Sequence, residues 1–144
     1  MALTELRRQL IRDEGSRQEG GRHMPYRDSL GFLTIGYGRC LDRIGISEAE
    51  AAALLDNDIK IAEEAVTANI VGLEGLDAVR RAVVVAMCFN LGLAGLLGFR
   101  RFLVALRAQD WPRAADEMLA SKWHEQVGSR AERLAEQMRT GEWR

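Results

Sequence analysis

Two carboxylic acids and a hydroxyl group in the first quarter of the chain have residue types and spacing suited to acid–base chemistry. They are Glu14, Asp28 and Thr34. Two carboxyl groups in different surroundings can hold different protonation states, one as an acid and one as a carboxylate, which is what cleavage of a glycosidic bond requires. Because the chain has 21 acidic residues, a helix cap and a surface charge without a catalytic role are the alternative interpretation.

Sequence patterns predict where these three residues lie. Apolar residues recur at helical spacing near the start: Leu3, Leu6, Leu10 and Ile11. They predict an amphipathic helix over residues 3–14 that stops at Gly15, so Glu14 falls at its C-terminal end. Residues 15–31 contain a glycine pair and a proline and predict a long loop entering a hairpin. Residues 32–38 predict a short strand whose glycines permit close approach of the backbone.

The rest of the chain predicts helices. Ser47 and Glu50 form a capping box that opens a helix to about residue 68, and an apolar helix over residues 76–91 forms the centre of the core. Glycines from Gly92 onward then break the chain, and three short helices follow, over residues 99–109, 111–121 and 129–140. Asp110 is expected to cap the second of these helices, and a second capping box, Ser129 with Glu132, to open the third. The predicted fold class is α+β, mainly α.

The sequence around the three candidate residues contains a specific motif. It reads Asp13-Glu14-Gly15 and then Tyr26-Arg27-Asp28-Ser29-Leu30-Gly31-Phe32-Leu33-Thr34-Ile35-Gly36-Tyr37-Gly38. This resembles the signature of the phage-type lysozymes, the endolysins of glycoside hydrolase family twenty-four. The resemblance continues through Phe89-Asn90-Leu91-Gly92 to Arg139-Thr140-Gly141-Glu142-Trp143, so it covers nearly the whole chain.

The resemblance implies a fold and a reaction. It implies one lysozyme-like domain over residues 1–144, with a small N-terminal β-hairpin lobe (about 12–55), a larger C-terminal helical lobe (about 70–144 with helix 3–11), and a cleft between them. The implied reaction is hydrolysis of the β-1,4 bond between N-acetylmuramic acid and N-acetylglucosamine in peptidoglycan. Glu14 would protonate the leaving oxygen, Asp28 would orient or deprotonate water, and Thr34 would position that water. Single displacement would place the two carboxyl groups roughly 6.5–9.5 Å apart and invert the anomeric carbon.

The chain departs from the family pattern at one place. Thirteen residues separate Glu14 from Asp28, whereas the best-known members have eight, and the additional residues fall in Ser16–Met24. Two other functions remain open: a lytic transglycosylase that leaves 1,6-anhydro ends, and a wall-binding or virion module without activity. Having both Asp28 and Thr34 to hold water favours hydrolysis, and keeping all three candidate residues disfavours a binding module.

Three further residues are candidates for substrate binding or for support of the catalytic groups. By resemblance these are Tyr26 in the motif, Asn90 on the apolar helix, and Arg130, which is expected near Glu14. Asn90 has two interpretations, a hydrogen bond within the core or a contact to a sugar N-acetyl group. The alternative for Arg130 is a surface arginine. The three tryptophans are expected mostly in the core rather than stacked on sugars.

Composition limits partners and cofactors. Because the net charge is only −1, no nucleic-acid partner is expected. The charge is uneven along the chain: residues 1–46 carry +2, residues 47–75 carry −6 and residues 76–144 carry +3. Cys40, Cys88 and the two histidines lack metal-ligand spacing, so we expect no metal and no cofactor. No signal peptide or stable membrane insertion is expected. We expect a monomer that acts on peptidoglycan, and the resemblance implies accumulation in the host cytoplasm and release to the periplasm and cell wall through a holin.

Overall fold

The computed structural model describes residues 2–144, with side chains from residue 3 onward, and divides them into two compact units. The N-terminal unit ends at Ala52, and the C-terminal unit comprises Ala53–Arg144. Strands occur in the former and helices predominate in the latter, so the predicted α+β, mainly α fold class is confirmed. The grouping of helix 3–11 with the C-terminal lobe stays a prediction.

The N-terminal unit contains one helix, five short strands and the start of a second helix. These elements are α1 (Ala2–Asp13), β1 (Arg17–Glu19), β2 (Arg22–Met24), β3 (Tyr26–Arg27), β4 (Leu33–Ile35), β5 (Arg39–Cys40) and α2 (Glu48–Asn69). Strands β3, β4 and β5 form an antiparallel sheet with β4 in the middle, and Thr34 pairs with Tyr26 on one side and Cys40 on the other. The apolar stripe of α1 is exposed in this structure.

The segment expected to be a loop over residues 15–31 contains a second sheet, the β1–β2 hairpin. Its register pairs Arg17 with Met24 and Glu19 with Arg22. Gly20 and Gly21 join the strands with φ of 57° and 76°, the left-handed values that a two-residue hairpin turn favours. The loop prediction was wrong here because β1 is entirely exposed and carries no apolar alternation.

The predicted capping box at the start of α2 is confirmed and is extended by an arginine. The Ser47 amide donates to Glu50 Oε2 (2.8 Å), and the Glu50 amide donates to the Ser47 hydroxyl (3.2 Å). Arg39 of β5 also donates to both carboxylate oxygens of Glu50, at 2.9 and 2.8 Å. The hydrogen bonds from Arg39 and from the Ser47 amide lower the pKa of Glu50 from its ordinary value of 4.5 to about 2. A charged, two-point contact therefore joins the three-stranded sheet to α2.

The C-terminal unit is helical. After α2 and a short 3-10 turn at Leu73–Gly75, its elements are α3 (Ala78–Leu97), α4 (Arg100–Arg107), α5 (Trp111–Leu119), α6 (Lys122–Val127) and α7 (Ser129–Thr140). Gly92 interrupts α3 with non-helical backbone angles (φ 72°, ψ 164°), where the sequence predicted a break. In the described part of the chain, α3 is also the one helix long and apolar enough to cross a membrane. The same properties are typical of a core helix, and its Val83, Val84 and Met87 are buried.

The apolar core lies in the C-terminal unit. Helix α7 packs against α3 and α5, and α5 packs against α4. The largest fully buried side chains come from α2, α3, α4, α5 and α7: Val66, Val83, Val84, Met87, Leu96, Phe102, Leu106, Met118 and Met138. Cys88 is buried, as expected for a small apolar residue, and burial raises the pKa of its thiol. Trp123 is in the core and Trp111 is half-buried against it, whereas Trp143 is 66% exposed.

Arg80 joins three parts of the C-terminal unit. Its guanidinium donates to the carbonyl oxygens of Met138 (2.8 Å) and Arg139 (3.0 Å) at the end of α7, and its side chain is only 12% exposed. It also pairs with Asp77, the residue that caps α3, and lies 4.6 Å from the ring centroid of Trp111. The last carbonyl groups of a helix have no hydrogen-bond donor within the helix, and the Arg80 guanidinium supplies donors to two of them.

Two features of the C-terminal helices differ from the prediction, although α7 spans residues 129–140 as predicted. Gly128, not Ser129, precedes the first residue of α7, and Glu132 contacts His124 at 3.3 Å, so the second predicted capping box was wrong. The separate helix α6 was not predicted, although the Ser121 hydroxyl accepts from the His124 amide and so caps it. The predicted cap at Asp110 is confirmed by a 3.2 Å hydrogen bond from the Arg113 amide.

Glu50→Gln is expected to remove an acid-sensitive contribution to stability. Because folding lowers the pKa of Glu50, its contribution is fully present above about pH 4.5 and is lost as the pH falls through about 2. Thermal unfolding from about pH 6 to about pH 2 should show the wild type more stable at the upper end and most of the difference lost at the lower end. Glu48→Gln, which removes a charge from the same first turn, is the control. A difference between wild type and Glu50→Gln that is constant with pH would contradict the expectation.

Candidate active site

Glu14 follows directly after α1 and keeps a helical hydrogen bond. Its amide donates to the Leu10 carbonyl oxygen (2.8 Å), and its carboxylate is exposed. The carboxylate lies against Gly38, where a β-carbon would come 2.7 Å from Glu14 Oε2. Gly38 also has φ of +83°, which few other residues adopt. The candidate acid therefore depends on a residue without a side chain at position 38, consistent with the expected close approach of the backbone.

Tyr26 ties the candidate acid to the three-stranded sheet. Its hydroxyl donates to the carbonyl oxygen of Gly15 (2.7 Å), the residue that follows Glu14. Tyr26 lies on β3 and pairs with Thr34 on β4. The structure thus places this residue, predicted as a substrate-binding or supporting group, in a supporting contact.

The side chain of Asp28 is held by the turn between β3 and β4. Its Oδ1 accepts hydrogen bonds from the amides of Leu30 and Phe32, both at 2.9 Å. The Asp28 amide donates to the Phe32 carbonyl oxygen, also at 2.9 Å. Aspartate often fixes turns in this way, and the bonds to one carboxylate oxygen hold the whole group in one orientation.

Thr34 lies on the middle strand and is 3% exposed. Its hydroxyl donates to the Phe32 carbonyl oxygen at 3.2 Å. A hydroxyl that donates in this way keeps lone pairs with which it can accept from water. The role of Thr34 in positioning water stays a prediction.

The backbone N–H and C=O groups of Phe32 link Asp28 and Thr34, and the sequence analysis did not identify this role. Its amide donates to the Asp28 carboxylate, and its carbonyl oxygen accepts from the Asp28 amide and the Thr34 hydroxyl. Since these are backbone groups, the side chain at position 32 gives no signal of their role. Glu14, Asp28 and Thr34 are thus all connected to the same small sheet.

The other two candidate residues, Asn90 and Arg130, both line a groove of the C-terminal unit. The groove has a volume of about 610 Å³ and a mostly apolar lining that includes Phe89 and Trp143. Asn90 is exposed, and its Oδ1 accepts a hydrogen bond from the indole N–H of Trp123 (2.7 Å). Arg130 is exposed. Contacts of Asn90 with a sugar and of Arg130 with Glu14 stay predictions.

The part of the chain that the structure describes has no group of three or more His, Cys, Asp or Glu side chains placed as metal ligands would be. The candidate groups for chemistry at this site are the carboxyl groups of Glu14 and Asp28. An exposed acid at a helix end, together with an oriented aspartate on a small sheet, is an arrangement suited to a glycosidase.

Comparisons with known proteins agree with this class. The family model described as phage lysozyme matches residues 16–140. Two similar proteins from Dictyostelium discoideum are named probable T4-type lysozyme 1, which is 26% identical over 91% of this chain and 94% of its own length, and probable T4-type lysozyme 2, which is 25% identical over 96% of each chain. The chain belongs to the phage lysozyme family, and its membership supports a lysozyme function. The matched segment includes Asp28 and Thr34 and begins two residues after Glu14.

Gly38→Ala is expected to reduce lysozyme activity by about tenfold or more, because the new methyl group must displace the Glu14 carboxylate. Gly36→Ala is a matched control, since Gly36 also has positive φ (+63°) but nothing lies within 4 Å of a β-carbon there. Both variants should lose about 1–2 kcal/mol of stability through backbone strain. Turbidity assays on cell walls and thermal unfolding would measure the two effects. Equal losses of activity in the two variants would contradict this account of Gly38.

Proposed function

We propose that this protein hydrolyses the β-1,4 bond between N-acetylmuramic acid and N-acetylglucosamine in bacterial peptidoglycan, with Glu14 as general acid and Asp28 as the carboxylate that activates water. The connection of both groups to one sheet carries the proposal. Glu14 is held through Tyr26 and Gly38, while Asp28 is held through Phe32. Membership of the phage lysozyme family supports the substrate class.

The proposed reaction is a single displacement. Glu14 gives its proton to the glycosidic oxygen while the bond from that oxygen to the anomeric carbon of N-acetylmuramic acid breaks. Water attacks the anomeric carbon from the opposite face and loses a proton to Asp28, and Thr34 accepts a hydrogen bond from that water. Asp28 then releases its proton to solvent, and Glu14 takes one up.

The biological setting is proposed by resemblance. We propose a monomer that accumulates in a host cytoplasm, reaches the periplasm and cell wall with the help of a holin, and lyses the host there. The mildly basic C-terminal segment, which carries +3 over residues 76–144, supports attraction to an anionic wall.

Glu14→Gln is expected to lower the rate of peptidoglycan cleavage about 10²–10⁴-fold, because the amide cannot supply the proton. Purified peptidoglycan would be digested and the products read by mass spectrometry. Glu5→Gln, an exposed glutamate of α1, is the control and should keep full activity. New reducing ends lost in Glu14→Gln support hydrolysis, whereas 1,6-anhydro ends would indicate a transglycosylase. Cleavage unaffected by Glu14→Gln would overturn the assignment of the acid, and no cleavage by the wild type would favour a binding module.

The first product is expected to be the α-anomer, because single displacement inverts the β-linked carbon. Proton NMR during the first minutes of digestion of a soluble peptidoglycan oligosaccharide would show it before mutarotation. Initial appearance of the β-anomer would contradict inversion and require a double displacement.

A further inference from the structure

The β1–β2 hairpin contacts the loop beside the candidate acid through one pair of rings. His23 of β2 and Tyr37 have ring centroids 4.9 Å apart and planes at 73°, an edge-to-face contact. The three residues of β1 and Arg22 of β2 are exposed, whereas His23 is half-buried. His23 therefore lies where the hairpin meets the rest of the N-terminal unit.

Tyr37 is the middle residue of the loop that joins β4 to β5. Its neighbours, Gly36 and Gly38, have no side chains and both have positive φ. The Tyr37 ring is thus the one side chain by which this three-residue loop can be packed in place. Whatever holds that ring restrains Gly38, and Gly38 is the residue against which the Glu14 carboxylate lies.

The imidazole of His23 contacts Tyr37 through its aromatic ring, and it makes no strong hydrogen bond. Its Nδ1 is buried, with no hydrogen-bond partner among the described residues. Its Nε2 lies 3.4 Å from Gln18 Nε2, which is longer than an ordinary hydrogen bond. A ring of similar shape without nitrogens should therefore keep the contact with Tyr37.

We propose that His23 is a positioning residue for the reaction, acting through Tyr37 and Gly38 on the orientation of the Glu14 carboxyl group. The proposal rests on the proposed function, in which Glu14 is the acid. Two contacts then restrain Glu14. The Tyr26 hydroxyl fixes the backbone at Gly15, and the His23–Tyr37 contact fixes the loop that faces the carboxylate. The hairpin acquires a role in catalysis without touching substrate.

His23→Ala is expected to lower kcat for a soluble peptidoglycan oligosaccharide about tenfold and to change KM less than about twofold, because orientation of the acid matters mainly in the transition state. His23→Phe should restore kcat to within about twofold of wild type, since it keeps an aromatic ring against Tyr37. Arg22→Ala, on the same strand but exposed, is the matched control and should leave both constants unchanged.

A second measurement separates positioning from general weakening of the structure. In a Glu14→Gln background, His23→Ala should lower the residual rate no further, because its effect passes through Glu14. Tyr37→Ala should lower kcat as His23→Ala does, and the double variant should be no slower than either. If His23→Ala unfolds at the assay temperature, His23→Leu, which keeps apolar volume without an aromatic ring, takes its place with the same expectation.

The outcomes distinguish this proposal from the proposed function. Loss of activity in Glu14→Gln with full kcat in folded His23→Ala would overturn the positioning role alone. Additive losses from His23→Ala and Glu14→Gln, or failure of His23→Phe to restore kcat, would overturn it as well. Full activity in Glu14→Gln would instead overturn the assignment of the acid on which both proposals rest.

Discussion

The register of the three-stranded sheet is the constraint on which the candidate site depends. With Thr34 opposite Tyr26, Asp28 follows the end of β3, where its carboxylate meets the Phe32 amide. The same register directs the Tyr26 hydroxyl to the carbonyl group next to the candidate acid. A shift by one residue would turn every side chain of a strand to the opposite face and would break these contacts together. Backbone pairing therefore sets the positions of the chemical groups.

The N-terminal unit holds this register largely with polar interactions. Among residues 3–52, only Thr34 is buried, and the apolar core lies in the C-terminal unit. The sheet is fixed instead by contacts such as Leu33 to Asp42 and Arg39 to Glu50. Solvent-exposed polar contacts of this kind contribute less to stability than buried apolar packing does. In the C-terminal unit, Arg80 adds hydrogen bonds to helices already packed through apolar side chains.

Glycine and tyrosine have complementary roles next to Glu14. Gly38 permits the close approach of the carboxylate because it has no β-carbon, and Tyr37 gives the same loop its one packing side chain. The family match begins after Glu14, so the assignment of the acid depends on the sequence motif and on this geometry. The β1–β2 hairpin, which falls in the segment that is longer than in the best-known family members, contacts the loop at Tyr37.

The sequence by itself predicted the helices other than α6, the cap at Asp110 and the capping box at Ser47, and it named the three candidate catalytic residues, because periodicity, caps and motifs are local signals. It did not reveal the β1–β2 hairpin, whose short exposed strands lack alternation, and it placed a capping box at Ser129 where Gly128 precedes the helix. Only the tertiary structure decided that the backbone groups of Phe32 make hydrogen bonds to both Asp28 and Thr34, and that Gly38 lies against Glu14. Backbone groups are the same in every residue, so the contacts that they make leave no mark in composition or spacing.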